Sequence, residues 1–308
     1  MKKNNKRKLI VILSMLLLLT GCTKYLQDEN KKQIINKSTG QSITENVLCK
    51  PTDKEALKIY EENKVDLTDL PSCEDFKINS GGYEGLWNSI FVKPLAFIIL
   101  KVGQLVHNYG LAIIITSILI RLIAFPITKK TAMQSELIKK AKPELDKLEK
   151  KYANKTDQQS VMNKSREMTL IYKKYNINPV AGCLYAMLQL PIFIAFLEAI
   201  NRVPALFEGT FLTLKMGLTP YIAMTHGQFW YIILTILVGL TTYFSFKMNT
   251  TSTSADQAKT MTRVMVIMIV VMSIFMSSAL NIYWITTNLF TVVQNILVKK
   301  GGNENAKI

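Results

Sequence analysis

The chain has 308 residues, of which 49% are hydrophobic and only 19% charged, with a formal net charge of +16. Soluble domains carry about a quarter charged residues, and here near-uncharged apolar runs alternate with lysine-rich polar stretches. That segregation excludes a pair of ordinary soluble domains and predicts an all-α polytopic membrane protein. The basic excess lies beside the apolar runs, so it reads as membrane orientation rather than a DNA-binding surface.

Residues 1–21 read as a signal peptide. MKKNNKRK supplies five positive charges, and the apolar core 9–19 that follows is too short to span comfortably. Leu19-Thr20-Gly21-Cys22 resembles a bacterial lipobox, in which the cysteine takes a diacylglycerol and becomes the first residue of the mature chain. Lipidation of Cys22 is the expectation; the alternative is an uncleaved anchor with an incidental cysteine.

Residues 22–84 are polar and lysine-rich, and read as an extracellular lipid-anchored tether. Cys49 and Cys73 flank a stretch with one helix-like segment. A disulfide there stabilises a segment with little core, by about 3 kcal/mol in the chain-entropy model; the alternative is two free thiols. Cys183 lies in an apolar run and reads as a packing residue. His107 and His226 are far apart and no metal-ligand spacing occurs, so no metal or cofactor is expected.

Residues 85–108 are apolar but interrupted by Lys93 and Lys101. Their broad greasy face fits an interfacial helix better than a span. Five span candidates follow, 109–128, 179–200, 229–246, 264–278 and 280–298, making a core of 109–298. The last two are nearly contiguous, with a tight hairpin expected near Ser277 and Asn281. Between the first two, Lys129 to Lys174 holds 13 Lys/Arg against 6 Asp/Glu, so this segment is expected in the cytoplasm. With Cys22 outside, an odd number of spans must separate the two, and 109–128 alone satisfies this. The tail 299–308 then falls inside.

The cytoplasmic segment, 129–178, has a helical pattern. Leu137, Ala141, Leu145, Leu148 and Tyr152 recur at spacings of 4, 4, 3 and 4, and Val161, Ser165, Met168, Tyr172 and Tyr175 at 4, 3, 4 and 3. A turn over 153–157 separates them, predicting an antiparallel hairpin with a narrow apolar seam. Pro143 suits the first turn of a fresh helix, so a kink is expected near Lys142. The lysine-rich outer faces are either solvated or meet an acidic partner such as RNA or lipid headgroups.

The unusual residue of the first span is Arg121. It precedes Lys129 by eight residues, about 12 Å along a helix, against a hydrocarbon half-thickness of about 15 Å. Unless the guanidinium snorkels to the interface, its burial costs about 2.5–3.5 kcal/mol on insertion scales, so such a residue normally faces a bundle interior or a watery cavity. Ser117 lies one turn before it on the same face. Gln189 is a lone amide in the second span. In the last span Asn281, Trp284, Asn288, Thr291 and Asn295 share one face at spacings of 3, 4, 3 and 4. No carboxylate lies deep in any span; Glu198, near the outer end of the second, is the nearest. The residues therefore point to a hydrophilic groove holding a cation without a resident counter-ion, suited to capturing a negative group from another molecule.

YGLAIIITSILIRLIAFPITKK, KPELDKLEKKY, YKKYNINPVAGCLYAMLQLPIFIAFLEAI and LNIYWITTNLFTVVQNILVKK occur in that order. Together they resemble the YidC/Oxa/Alb family of membrane-protein insertases in its Gram-positive bacterial form, over roughly residues 85 to 300. Tyr185 stands where the family pattern often has proline. The resemblance implies five transmembrane helices around a hydrophilic groove open to the cytoplasm and lipid. It makes Arg121 the family's arginine and puts Gln189 and Trp284 among groove-lining residues. It implies that the hairpin receives substrates from the ribosome or targeting machinery. It also implies that the protein works alone or with the Sec translocon, in contact with membrane lipids, on nascent membrane proteins in the bacterial plasma membrane.

The resulting expectation is an energy-independent insertase, not an enzyme. Arg121 draws a short acidic segment into the groove, and the apolar span of the substrate then moves into lipid, its burial contributing about 25 cal/mol per Å². A small-molecule or ion transporter is the rival, opposed by missing repeats and carboxylates. A lipoprotein scaffold that recruits a cytoplasmic partner is the other.

Overall fold

The computed structural model describes residues 23–178, 181–248 and 255–304; Cys22 lies outside them. Those residues form an all-α, multi-spanning membrane architecture. Three helical stretches are long and apolar enough to cross a bilayer, Asn88–Val106, Tyr109–Tyr152 and Phe229–Met248, and Gln189–Asn201 and Thr262–Phe275 are shorter apolar helices. The chain divides into two compact units. One takes the described residues up to Ser117 with 190–235 and 273–283; the other takes 118–189, 236–272 and 284–308.

The first unit begins with a small domain held by one helix and one crosslink. Helix α1 (Lys54–Glu62) starts at Asp53, whose side chain accepts from the Ala56 N–H at 2.9 Å. Its Tyr60 packs with Leu26, Ile43 and Val47, and the phenol donates to the Thr44 carbonyl at 2.6 Å. So small a core needs a staple, and Cys49 is disulfide-bonded to Cys73 beside a parallel bridge between Lys50 and Ser72.

A π-helical turn, Asn88–Val92, leads into α2 (Lys93–Val106). Both lysines of this stretch are held by the preceding segment. Lys93, 1% exposed, donates to the carbonyls of Ser80 (2.7 Å) and Gly82 (2.6 Å) and pairs with Glu84 at 3.3 Å. Lys101 donates to the Glu74 carbonyl at 3.2 Å. The helix stops at His107, whose φ of 52° is left-handed, and the Tyr109 ring then folds over Gly103, where any Cβ would lie 2.2 Å from it. Asn108 restarts the chain as a cap, accepting from Leu111 N at 3.0 Å.

Helix α3 (Tyr109–Tyr152) has 44 residues. It is about 66 Å long, twice the hydrocarbon thickness, so much of it must project beyond a membrane. It runs unbroken through Pro126 and Pro143, in place of the fresh start expected at Pro143. A proline inside a helix removes one backbone bond, and Ala141 and Leu145 on either side of Pro143 are locked in an apolar cluster with Ile138 and Ile177. Helix α4 (Gln158–Lys174) returns antiparallel to this arm, capped by Asp157, which accepts from Ser160 N at 2.8 Å. Lys151 and Tyr152 meet Glu167 at one level; Lys174 and Tyr175 meet Glu144 at the other.

Helix α5 (Ala181–Asn201) is followed by α6 (Ala205–Glu208), a two-residue hairpin of β1 (Thr210–Phe211) and β2 (Leu214–Lys215), and α7 (Pro220–Thr225). Then come α8 (Ile232–Met248), α9 (Ala255–Phe275) and α10 (Ser278–Glu304). The turn between α9 and α10 is tied by Asn281, whose amide donates to the carbonyls of Ser273 (3.0 Å) and Met276 (3.2 Å). On α9, the exposed residues Val264, Ile267, Met268, Val271, Met272 and Phe275 recur every three or four positions. Such an apolar stripe is unsuited to water and matches lipid.

Candidate functional site

The second unit carries most of the residues singled out in the sequence. Arg121 on α3 is 5% exposed. Its Nη1 donates to the side-chain carbonyl of Gln189 on α5 at 2.7 Å, while its buried Nε has no hydrogen-bond partner. None of the ion pairs among the described residues includes it. The guanidinium thus sits beside a neutral amide, in a place that water hardly reaches. A hydrogen bond from an ionised group contributes about 1.5–3 kcal/mol when its partner is right; here the charge has only a dipole to face.

Trp284 and Asn288 of α10 converge on another point. The Trp284 indole N–H donates to the Thr242 hydroxyl of α8 at 3.1 Å, and the Asn288 amide donates to the same oxygen at 2.9 Å. Farther along α10, Gln294 and Thr128 of α3 exchange hydrogen bonds, at 2.9 Å with the amide as donor. Thr287, Thr291 and Asn295 complete a buried polar face. This face lowers the hydropathy of α10, which explains its absence from the long apolar helices above.

Ser117 and Asn281 belong to the first unit. Ser117, fully buried, donates to the Ile113 carbonyl of its own helix at 2.6 Å. Asn281 spends its amide N–H groups on the turn, and its Oδ1 is buried without a partner. So Arg121 is brought to Gln189, and Trp284 to Asn288, while Ser117 and Asn281 hold backbone.

Sequence reasoning missed two sets of residues. Thr242 sits in an apolar run, ILVGLTTYFSF, where nothing marks it as an acceptor. Arg202, just past α5, is 1% exposed. Its Nε donates to the Asn46 carbonyl at 2.6 Å, its Nη1 to Asn88 Oδ1 at 3.0 Å, and its Nη2 pairs with the Glu84 carboxylate. Nearby, Glu208 accepts from the backbone N–H groups of Thr52 (2.7 Å) and Asp53 (2.9 Å). Glu198 accepts from the Trp87 indole at 3.1 Å. An arginine and a glutamate at the start of the nearly uncharged segment 201–228 were the available signal.

Among the described residues no group of three or more His, Cys, Asp or Glu could hold a metal ion. A family model described as 60Kd inner membrane protein matches residues 101–305. A protein described as membrane protein insertase YidC from Oceanobacillus iheyensis is 37% identical over 226 residues, covering 70% of this chain and 85% of its own. One of the same description from Alkalihalophilus pseudofirmus is 34% identical over 214 residues, covering 68% and 81%. A solved structure described as an active YidC insertase overlaps at a TM-score of 0.46 with 21% identity, covering 70% of this chain and 48% of that one. The stapled segment lies outside the range of the family match.

Proposed function

This chain belongs to the YidC/Oxa/Alb family of membrane-protein insertases and is a bacterial multi-pass membrane protein that inserts and folds other membrane proteins without enzymatic chemistry, and we propose that Arg121 is its substrate-attracting charge. The observation that carries this is the pairing of a buried guanidinium with Gln189 alone among the described residues, one N–H left unsatisfied. Burying an arginine that does nothing for stability is costly. The cost is offset when a carboxylate of an incoming chain arrives and forms a charge-assisted bond. Gln189 holds the guanidinium in place with a bond weak enough to be exchanged.

Trp284 and Asn288 line the same groove in this reading, while Ser117 and Asn281 hold only the backbone of their own helices and turn. The substrate is a nascent membrane protein with a short acidic segment to translocate and an apolar span that leaves into lipid. The core has five spans, 109–128, 179–200, 229–246, 264–278 and 280–298, with the hairpin 129–178 and the tail 299–308 in the cytoplasm. The apolar stripe of α9 supports its membrane assignment. The stretch 85–108, long enough to span by length and composition, is assigned to the interface instead. Lys93 and Lys101, two turns apart, both bond to the polar segment 74–82, which supports a helix lying along that segment. Cys22 is the lipid anchor on the outside. The hairpin's lysine-rich face receives chains from the ribosome or targeting machinery, and the Sec translocon cooperates on larger substrates.

The test is insertion into proteoliposomes. Arg121→Ala is expected to slow a substrate with an acidic translocated tail about tenfold, and to spare one whose tail is neutralised. Equal rates for wild type and variant on the acidic tail would remove the attracting role.

A further inference from the structure

We infer that Thr242 is a positioning residue of the groove, orienting both Trp284 and Asn288 through one oxygen. The inference rests on the groove reading above but uses a side chain that reading does not need. Thr242 is fully buried on α8. Its Oγ1 accepts the Trp284 indole N–H at 3.1 Å and an Asn288 amide N–H at 2.9 Å. The two donors are one helical turn apart on α10, so their side chains share a face. A hydroxyl oxygen has two acceptor sites, and both are occupied.

The consequence is geometric. An indole has a single N–H, so fixing its partner fixes which ring edge points toward α8. An amide that donates through Nδ2 turns its Oδ1 away from the acceptor. Thr242 therefore presents the Trp284 ring in one orientation and aims the Asn288 carbonyl away from α8, as a ready acceptor for the N–H groups of an extended polar chain. Valine at 242 has the same shape as threonine but no acceptor. It would leave the packing intact and release both donors; serine would retain the oxygen.

The experiment measures insertion rates of the full-length protein in proteoliposomes for Thr242→Val, Thr242→Ser, the double variant Trp284→Phe with Asn288→Ala, and that double variant combined with Thr242→Val. Arg121→Ala serves as the control for the groove itself. Thr242→Val is expected to slow insertion about fivefold, the size of one or two ordinary hydrogen bonds, and Thr242→Ser to remain within about twofold of wild type. In the background lacking both donors, Thr242→Val should have no further effect, an epistasis that a packing role would not produce. A wild-type rate for Thr242→Val, an equal slowing in both backgrounds, or an unimpaired double variant each overturns the inference, and the last applies even if Thr242→Val fails to fold. A normal rate for Arg121→Ala on a substrate with an acidic translocated tail would instead remove the groove reading, so the two failures are distinguishable.

Discussion

Arg121 and Arg202 are both almost wholly buried, and both stand on or beside an apolar helix, yet their surroundings are opposite. Arg202 has a carboxylate, a side-chain amide oxygen and a backbone carbonyl around it, from Glu84, Asn88 and Asn46. Arg121 has one amide oxygen and an N–H with no partner. A buried cation surrounded by matched acceptors is a structural clamp, and removing it leaves those acceptors uncompensated. A buried cation without them contributes little to the fold, and in the proposed reading its unmade bonds are kept for a substrate carboxylate. Burial alone does not separate the two roles; hydrogen-bond saturation does.

The largest effect that sharpens the contrast is expected at the clamp. Arg202→Leu should cost about 3 kcal/mol, near the lower end for breaking a buried pair, because Glu84 is 30% exposed and also has Lys93 beside it. Thermal unfolding in detergent reads this directly, and an unchanged melting temperature would place Arg202 with Arg121. Next comes the staple. Replacing Cys49 and Cys73 with serine should remove about 2–3 kcal/mol from the small domain. The loss should appear as faster protease cleavage within 23–82, while insertion rates stay near wild type.

Smallest are the exposed ion pairs of the hairpin. The carboxyl of Glu144 is held below its usual range by the hydrogen bond from Lys174 and then that from Tyr175; Lys151 and then Tyr152 do the same for Glu167. A depressed carboxylate contributes stability above the ordinary glutamate value of about 4.3 and loses it as pH falls through the lower folded-state value. The amide protons of α4 should therefore exchange faster, relative to the intrinsic rate, once pH drops below that range. Protection unchanged from neutral pH to below it would show that the apolar seam alone holds the arms together.

Much of this was legible because it is periodic. The apolar runs, the stripe through Ala141 and Leu145, and the polar face carrying Trp284, Asn288, Thr291 and Asn295 each repeat at helical spacing. Arg121 stood out because its charge contradicts its neighbours. The clamp has no such signature. Arg202 reaches Asn46 and Glu84 across more than a hundred residues, and such pairing leaves no trace in local pattern. Lys93 read as a break in an apolar helix, whereas its ammonium group is satisfied by two carbonyls of the preceding loop. Thr242 was hidden because a threonine among apolar residues usually bonds its own helix. The continuity of α3 through Pro143, in place of a fresh start there, was not legible, since the apolar cluster beside it forms only once Ile177 has returned.

The most direct test turns the unsaturated arginine into a saturated one. Gln189→Glu places a fixed carboxylate where Arg121 now meets a neutral amide, with almost no change in shape. The rate to measure is insertion of one substrate with an acidic or a neutralised translocated tail, in proteoliposomes. The account predicts that the variant inserts the acidic form several-fold more slowly and the neutral form at the wild-type rate, with melting temperature unchanged or raised. An acidic form inserted by Gln189→Glu as fast as by wild type would contradict it.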